Sequence, residues 1–277
     1  MPTVNCRLPT ADCQLLPKAF GTDCQLPTTL MFNIFKKKLS FTDQLPVATD
    51  IHSHILPGID DGSPDLETSL KLVRGLLELG IRKCIATPHI IGDLYRNTPA
   101  TINAALNQLK QACIDERIDM ELSAAAEYML DDHFMNLLNG NEPLLTLHKN
   151  IILTEIPYTM PPNNLEEMAF AIITQGYTPI LAHPERYYYF HDQHDMYLRL
   201  NDLGFHLQLN LLSLTGYYGK NVAKAANYIL KKGLASLVGT DLHHTRHLAA
   251  LQDKKNRKLF HELLGAKKYN ELEELLD

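Results

Sequence analysis

Nine residues of this chain stand where they could hold metal ions: His52, His54, Asp61, His89, Glu127, Glu155, His183, Asp241 and His243. Eight of them close short apolar runs or directly follow them, in the groups Asp50-Ile51-His52-Ser53-His54, Thr87-Pro88-His89, Glu127, Glu155, His183-Pro184-Glu185-Arg186 and Asp241-Leu242-His243. His-x-His at a strand end places both imidazoles on one face, because side chains alternate along a strand. Asp61 lies in Pro57-Gly58-Ile59-Asp60-Asp61-Gly62, whose glycines let the backbone fold back towards that face. Five imidazoles and four carboxylates exceed what one ion needs, and with bridging carboxylates they suit three. Nitrogen and oxygen donors without thiolate fit Mn2+, Zn2+ or Fe2+ better than a soft metal or calcium. Three divalent ions would outweigh four carboxylates by two positive charges, an excess that a phosphate monoester dianion would neutralise. Clustered ions would also activate a water as nucleophile and hold the leaving oxygen.

Basic residues near the same strand ends could bind the phosphate: Arg186 directly after His183-Pro184-Glu185, Arg96 in the loop after His89, and Arg246 after His243. Guanidinium offers paired contacts to phosphate oxygens. Tyr187-Tyr188-Tyr189-Phe190 is read as packing of the next loop, ahead of lining an aromatic-accepting groove. Asn210 ends a strand without a metal ligand and is expected to position a water or a substrate oxygen. His133, His148, His191, His194, His244, His247 and His261 are assigned ordinary structural roles, and His206 begins a strand, at the wrong end for the site. A cysteine-based phosphatase needs Cys-x5-Arg, yet Ile90 and Asp119 stand six residues after Cys84 and Cys113. No phosphate-binding glycine loop of the common nucleotide folds is present.

These residues need elements that bring strand ends to one place. From about residue 46 the pattern alternates strand and helix, with seven strands: one before His52, then Ile81–Ala86, Met120–Ala125, Ile151–Thr154, Pro179–Ala182, His206–Asn210 and Ala235–Gly239. Ser63-Pro64 is expected to cap a helix reaching Leu79, and Thr98-Pro99 a second reaching about Glu116. Further helices are expected near Asp132–Leu138, Leu165–Gln175, Met196–Leu203, Asn221–Lys232, His247–Leu264 and Lys268–Leu276. Repeated β/α alternation argues a parallel sheet, and ligands at so many strand ends favour a closed or nearly closed barrel over an open sheet.

At 277 residues, 45% hydrophobic and net charge −6, the composition is globular and does not suggest a nucleic-acid partner. No apolar stretch approaches a membrane span. The five cysteines show no disulfide or zinc-ribbon spacing, and Cys84 and Cys113 read as core thiols, which points to the reducing cytoplasm. The start of the chain differs: Asp12-Cys13-Gln14-Leu15-Leu16-Pro17 recurs as Asp23-Cys24-Gln25-Leu26-Pro27. A disordered tail is therefore expected over residues 1–45, with 1–30 read as translated repeat upstream of a natural start at Met31. One domain is expected over 46–277.

The ordered motifs resemble the PHP (polymerase and histidinol phosphatase) superfamily, and within it the bacterial manganese-dependent protein-tyrosine phosphatases of capsule and exopolysaccharide loci. Asp50–Gly62, Thr87-Pro88-His89, Ala126-Glu127-Tyr128, Ala182-His183-Pro184-Glu185-Arg186-Tyr187 and Thr240-Asp241-Leu242-His243 carry the resemblance, which spans Val47 to Leu264. It implies an α/β fold, a distorted seven-stranded (β/α)7 barrel in a single domain. It also implies three divalent ions on the nine residues, manganese first, with Fe2+, Zn2+, Co2+ or Mg2+ as alternatives. Arg186 matches a phosphate-contacting arginine. The family pattern places basic residues directly after the third histidine, whereas here Ile90-Ile91-Gly92-Asp93-Leu94-Tyr95 intervenes and Arg96 stands in. The implied activity is hydrolysis of phosphotyrosine by a metal-bound hydroxide. The implied partner is the tail of a bacterial tyrosine kinase that controls polysaccharide export, met in the cytoplasm, with no nucleic acid and no stable membrane insertion. Two alternatives are a small-molecule phosphatase such as histidinol-phosphatase and a non-catalytic metal-binding module of a polysaccharide complex. Loss of a ligand would favour the latter, and none of the nine positions is lost.

Overall fold

The computed structural model describes residues 44–140 and 142–276. The expected tail falls outside these residues except at its end, where Leu45 is buried and its N–H donates to Leu79 O at 2.7 Å. The elements in chain order are β1 (Thr49–Asp50), α1 (Leu66–Glu78), β2 (Lys83–Ala86), β3 (His89–Ile90), α2 (Pro99–Asp115), β4 (Glu121–Ala124), β5 (Glu127–Met129), α3 (Asp132–Leu138) and β6 (Ile151–Glu155). They continue with α4 (Leu165–Thr174), β7 (Thr178–Ala182), α5 (Asp195–Asp202), β8 (His206–Asn210), α6 (Lys220–Lys231), β9 (Ala235–Gly239), α7 (Thr245–Gln252) and α8 (Lys254–Leu264). This is an α/β fold with two parallel sheets, ordered β1-β2-β4 and β3-β5-β6-β7-β8-β9.

Among the described residues nine strand segments stand where seven strands were expected, because two runs are interrupted. Thr87-Pro88 separates β2 from β3, and Ala125-Ala126 separates β4 from β5. Pro88 has no N–H to give a ladder. The neighbouring chains stay in step across the gap through Ala125 N–H to Ala86 O (2.8 Å) and Glu127 N–H to Pro88 O (3.1 Å). Beyond the breaks, register sets His89 beside Glu127 and Met129 beside Glu155. The first and last strands also meet: Ser53 bridges Leu242 in parallel, and Asp241 N–H donates to His52 O at 2.8 Å. Asp50 fastens the same seam, accepting from Thr240 N–H (3.0 Å) and from its hydroxyl (2.5 Å).

Two apolar clusters sandwich the strands. One contains Ile51, Ile85, Ala125, Ile151, Leu153, Ile180, Ala182 and Leu237, backed by Leu272, Leu275 and Leu276. The larger joins the other strand face to the helices. Strand alternation explains how the first cluster leads to the site: Ile151 and Leu153 lie in it, and Glu155 is the next residue on that face. Ala125 and Glu127 are related in the same way.

Three helical expectations change. The single helix expected over His247–Leu264 is split at Asp253 into α7 and α8, with the Asp253 side chain capping α8 by accepting from Lys255 and Asn256 N–H. α1 is capped by Asp65, which accepts from Thr68 N–H at 2.8 Å, while the Ser63 hydroxyl donates to Asp65 O at 3.0 Å within the preceding loop and accepts from Ser69 Oγ of α1 at 2.9 Å. The C-terminal segment holds only a 3-10 turn, Leu272–Leu275. Its approach is fixed by Asn270 (φ 66°), whose side chain accepts from Val238 N–H and donates to Thr49 O. α2 starts as its sequence predicts, with Thr98 and Thr101 in a reciprocal capping box and proline at the first turn. No helix among the described residues is long and apolar enough to cross a membrane.

Candidate metal centre

All nine candidate ligands come together at the strand ends. Their donor atoms fall into four groups, each with members within 4.8 Å of one another: His54, Asp61, His89 and His243; His52, Glu127 and His183; His52, His54 and Asp241; His89, Glu127 and Glu155. Glu127 is the hub. His52 Nε2, His54 Nε2 and His89 Nδ1 each lie 3.2 Å from its Oε2, and His183 Nε2 lies 3.0 Å from its Oε1. Asp61 is half exposed at the lip, 3.4 Å from His89 and 3.6 Å from His243.

Three imidazoles have Nδ1 tied to an acceptor and Nε2 turned inward. His52 Nδ1 faces Gln208 Oε1 at 2.7 Å, and the Gln208 amide is oriented by donating to Leu209 O at 2.7 Å. His54 Nδ1 faces Asp60 Oδ2 at 2.8 Å, and His243 Nδ1 faces the Asp241 carbonyl at 2.9 Å. An acceptor on Nδ1 puts the proton there and leaves the Nε2 lone pair for a cation. The carboxylates are divided likewise. Asp241 Oδ2 accepts from Arg186 (2.5 Å) and Asn210 (2.8 Å), while Oδ1 points to His52, His54 and His243 at 3.3–3.5 Å.

Four buried atoms in this cluster lack a hydrogen bond of proper geometry: His89 Nδ1, Glu127 Oε2, Glu155 Oε1 and Asp241 Oδ1. Buried polar atoms are rarely left so, and here they converge on one another. Donor–donor separations of about 3 Å are what ligands at about 2.0–2.2 Å from a shared ion would show. The residues therefore fit divalent cations held by nitrogen and oxygen.

Backbone geometry supports the same purpose. His183 (φ 37°, ψ 52°) and Asp241 (φ 49°) occupy the left-handed region, which costs a β-carbon-bearing residue of order 1 kcal/mol or more. Both keep their N–H groups bonded to the adjacent strand, His183 to Gln208 O and Asp241 to His52 O, each at 2.8 Å. The sharp turn thus follows immediately on the ladder and re-aims the side chain. Gly62 packs the Asp60-Asp61 loop onto His54, where an added β-carbon would stand 2.1 Å from the His54 carbonyl oxygen. Gly62→Ala is expected to cost about 1–3 kcal/mol and to lower bound metal. Thermal unfolding and elemental analysis would show it, and an unchanged melting temperature would mean that the loop has room.

The charged groups of the cluster set one another's protonation. Burial alone would depress the His52 imidazole, but Glu127 and Asp241 hold it up at about 9. His54 is likewise raised against its burial, by Asp60 and Glu127. Asp60 is brought down to about 2, its burial outweighed by His54. Burial and the neighbouring His54 press His243 down to about 4. The raised His52 contributes stability that is complete below its unfolded value of about 6.5 and is lost as pH rises through about 9. A cation needs the neutral ring, so its binding near pH 7.5 must expel that proton. Calorimetric titration with a divalent cation should give heats that depend on the buffer's ionisation enthalpy, with affinity rising up to about pH 9. Buffer-independent heats would contradict this charge state.

Among the described residues, Arg186 alone of the three candidate arginines contacts the cluster. Its guanidinium lies 4.5 Å from the centre of the Tyr218 ring and 5.3 Å from that of Tyr158. Arg96 is turned away, largely exposed, with Nε donating to Gly92 O at 2.5 Å and its tip 3.9 Å from Asp93. Arg246 is exposed in the first turn of α7, its charge acting on His244. Asn210 has neither end free, since Nδ2 donates to Asp241 and Oδ1 accepts from Leu212 N–H at 2.9 Å. Through Nδ2 it orients a candidate ligand. Tyr187 is buried, and Tyr188 and Tyr189 donate to the carbonyls of Thr159 and Pro157 at 2.8 and 2.9 Å, so this run packs and braces a neighbouring loop. His247, given an ordinary structural role, accepts from His243 N–H at 3.4 Å and so supports a ligand. Gln208 and Asp60, which fix the two imidazoles of His-x-His, were not singled out by sequence; the adjacent acid pair Asp60-Asp61 was the available signal.

Known proteins share this framework. The tyrosine-protein phosphatase YwqE of Bacillus subtilis is 30% identical over 197 residues, covering 71% of this chain and 78% of YwqE. The tyrosine-protein phosphatase CpsB of Streptococcus pneumoniae is 26% identical, covering 70% of this chain and 82% of CpsB. A crystal structure from work on YwqE and CpsB, described as unique metal-dependent tyrosine phosphatases, superimposes with a TM-score of 0.70 at 28% identity, covering 81% of this chain and 89% of the other. The family model for capsular polysaccharide synthesis, CpsB/CapC, matches residues 48–271. That span contains every residue of the cluster, and the chain belongs to the CpsB/CapC family.

Proposed function

We propose that the protein is a metal-dependent protein-tyrosine phosphatase of a capsule or exopolysaccharide system. The observation that carries this reading is the convergence of nine nitrogen and oxygen donors, four of whose atoms lack hydrogen bonds, beside a guanidinium. His52, His54, Asp61, His89, Glu127, Glu155, His183, Asp241 and His243 would hold three divalent ions, manganese first. Ions in those positions would acidify a water and draw charge from the phosphoryl oxygens.

The chain's own residues supply orientation. Gln208, Asp60 and the Asp241 carbonyl fix the inward ring nitrogens. Asn210 and Arg186 occupy one oxygen of Asp241 and leave the other for the centre. Arg186 uses one terminal nitrogen on Asp241, so its other N–H groups serve the phosphate. Tyr158 and Tyr218 are poor proton donors, because desolvation of their inward-turned hydroxyls pushes both phenols above their ordinary value.

The nine strand segments, with β2–β3 and β4–β5 each taken as one interrupted strand, correspond to a distorted seven-stranded barrel of the PHP type. The domain would occupy 46–277 in a cytoplasmic protein. Its substrate would be the phosphorylated tail of a bacterial tyrosine kinase.

The test uses protein stripped of metal and reloaded with Mn2+, assayed in parallel on a phosphotyrosine peptide and on histidinol phosphate. Metal-dependent phosphate release from the peptide is expected. Preference for histidinol phosphate would keep the centre but move the protein to small-molecule metabolism, and no release from either would overturn the reading.

A further inference from the structure

We propose that Tyr158 and Tyr218, which flank the Arg186 guanidinium, form the slot that receives the aromatic ring of phosphotyrosine and select aryl over alkyl phosphates. The inference rests on the phosphatase reading and extends it to residues that set specificity. Neither tyrosine belongs to the nine-residue cluster, yet Tyr158 is fastened to it directly and Tyr218 through Asn210 and His247, which support its members. Tyr158 stacks on His183, with ring centres 6.0 Å apart and planes 23° apart, and its hydroxyl lies 3.4 Å from His183 Nδ1. The Tyr218 hydroxyl lies 3.4 Å from both Asn210 Nδ2 and His247 Nε2.

Tyr158 is nevertheless 36% exposed, on a loop held in place from outside. Tyr189 and Tyr188 donate to the carbonyls on either side of it, those of Pro157 and Thr159. Exposed Tyr217 (41%), edge-on to Tyr218 with ring centres 5.0 Å apart, extends the aromatic surface on that side. A phosphate bound by the remaining N–H groups of Arg186 would have its ester group next to the rings that hem the guanidinium. An aryl group can pack against the solvent-facing edges of those rings, whereas a serine methylene offers almost no area. Such contacts favour offset or edge-on arrangements and are individually modest.

Three variants test the slot in the metal-loaded full chain: Tyr158→Leu, Tyr218→Leu and Tyr158→Phe. For each leucine variant, the KM for a phosphotyrosine peptide should rise about fivefold to tenfold, while the inhibition constant of inorganic phosphate stays within about twofold. Tyr158→Phe, which keeps the ring and loses the hydroxyl, should restore most of the peptide affinity. Metal content checks that the centre is intact, and if one leucine variant fails to fold the other decides. The proposal is overturned if KM does not change, if the phosphate constant rises in step with KM, or if Tyr158→Phe is as impaired as Tyr158→Leu. A metal-loaded wild type that releases no phosphate from the peptide would overturn the phosphatase reading, and the slot with it.

Discussion

Glu127→Gln is expected to reduce turnover by more than about a hundredfold and to lower bound metal, with the fold retained. The two side chains have nearly the same shape, so packing around this fully buried position is conserved. What changes is charge and donor chemistry. The carboxylate faces four imidazoles at 3.0–3.2 Å and belongs to two of the four ligand groups. An amide there has one acceptor oxygen and presents an NH2 where a lone pair is required. Elemental analysis after reloading, beside steady-state kinetics, would read both effects. Wild-type metal content with normal turnover would show that the centre does not run through Glu127.

Arg186→Ala should separate substrate handling from metal binding. In the proposed reading the guanidinium would supply the phosphate contact; it also donates to Asp241 Oδ2, where Asn210 remains as a second donor. Its removal should lower kcat/KM by about a hundredfold or more with metal content close to wild type. Lysine should rescue little, because a point charge cannot donate to Asp241 and to phosphate in the planar geometry set by the flanking tyrosines. Loss of metal in step with activity would instead assign Arg186 to holding Asp241 in place.

The nine-residue cluster was legible because histidine and carboxylate at successive strand ends have few other reasons to recur together. Parallel topology then converts sequence order into spatial convergence. The supporting residues were harder to see. Gln208 and Asn210 are neutral amides on one strand, and nothing in their type says which partner each will meet. Asn210 was expected to position a water or a substrate oxygen, and its bond to Asp241 was not foreseen. Arg96 and Arg246 were placed by nearness in sequence, which a flexible arginine in a loop or an exposed helix turn does not obey. Tyr158 follows the strand that ends in Glu155, but the loop that carries it is held by tyrosines about thirty positions away. The strand breaks had one visible cause in Pro88. The start of α1 was ambiguous because Ser63 and Asp65 are both capping types, and a hydroxyl committed to the loop left the carboxylate to do it.

The seam between the first and last strands has a consequence for how the chain holds together. Asp50 and Thr240 meet across 190 residues, and His52 and Asp241 meet beside them. Closing a loop of that length costs chain entropy on the order of 5 kcal/mol. A cation shared by His52 and Asp241 would act as a cross-link between the two ends of the domain. It would make separation at this seam conditional on releasing the ion. The metal-free form, retained there by Asp50, Thr240 and the backbone bridge, is the one in which the domain should come apart first along its own closure.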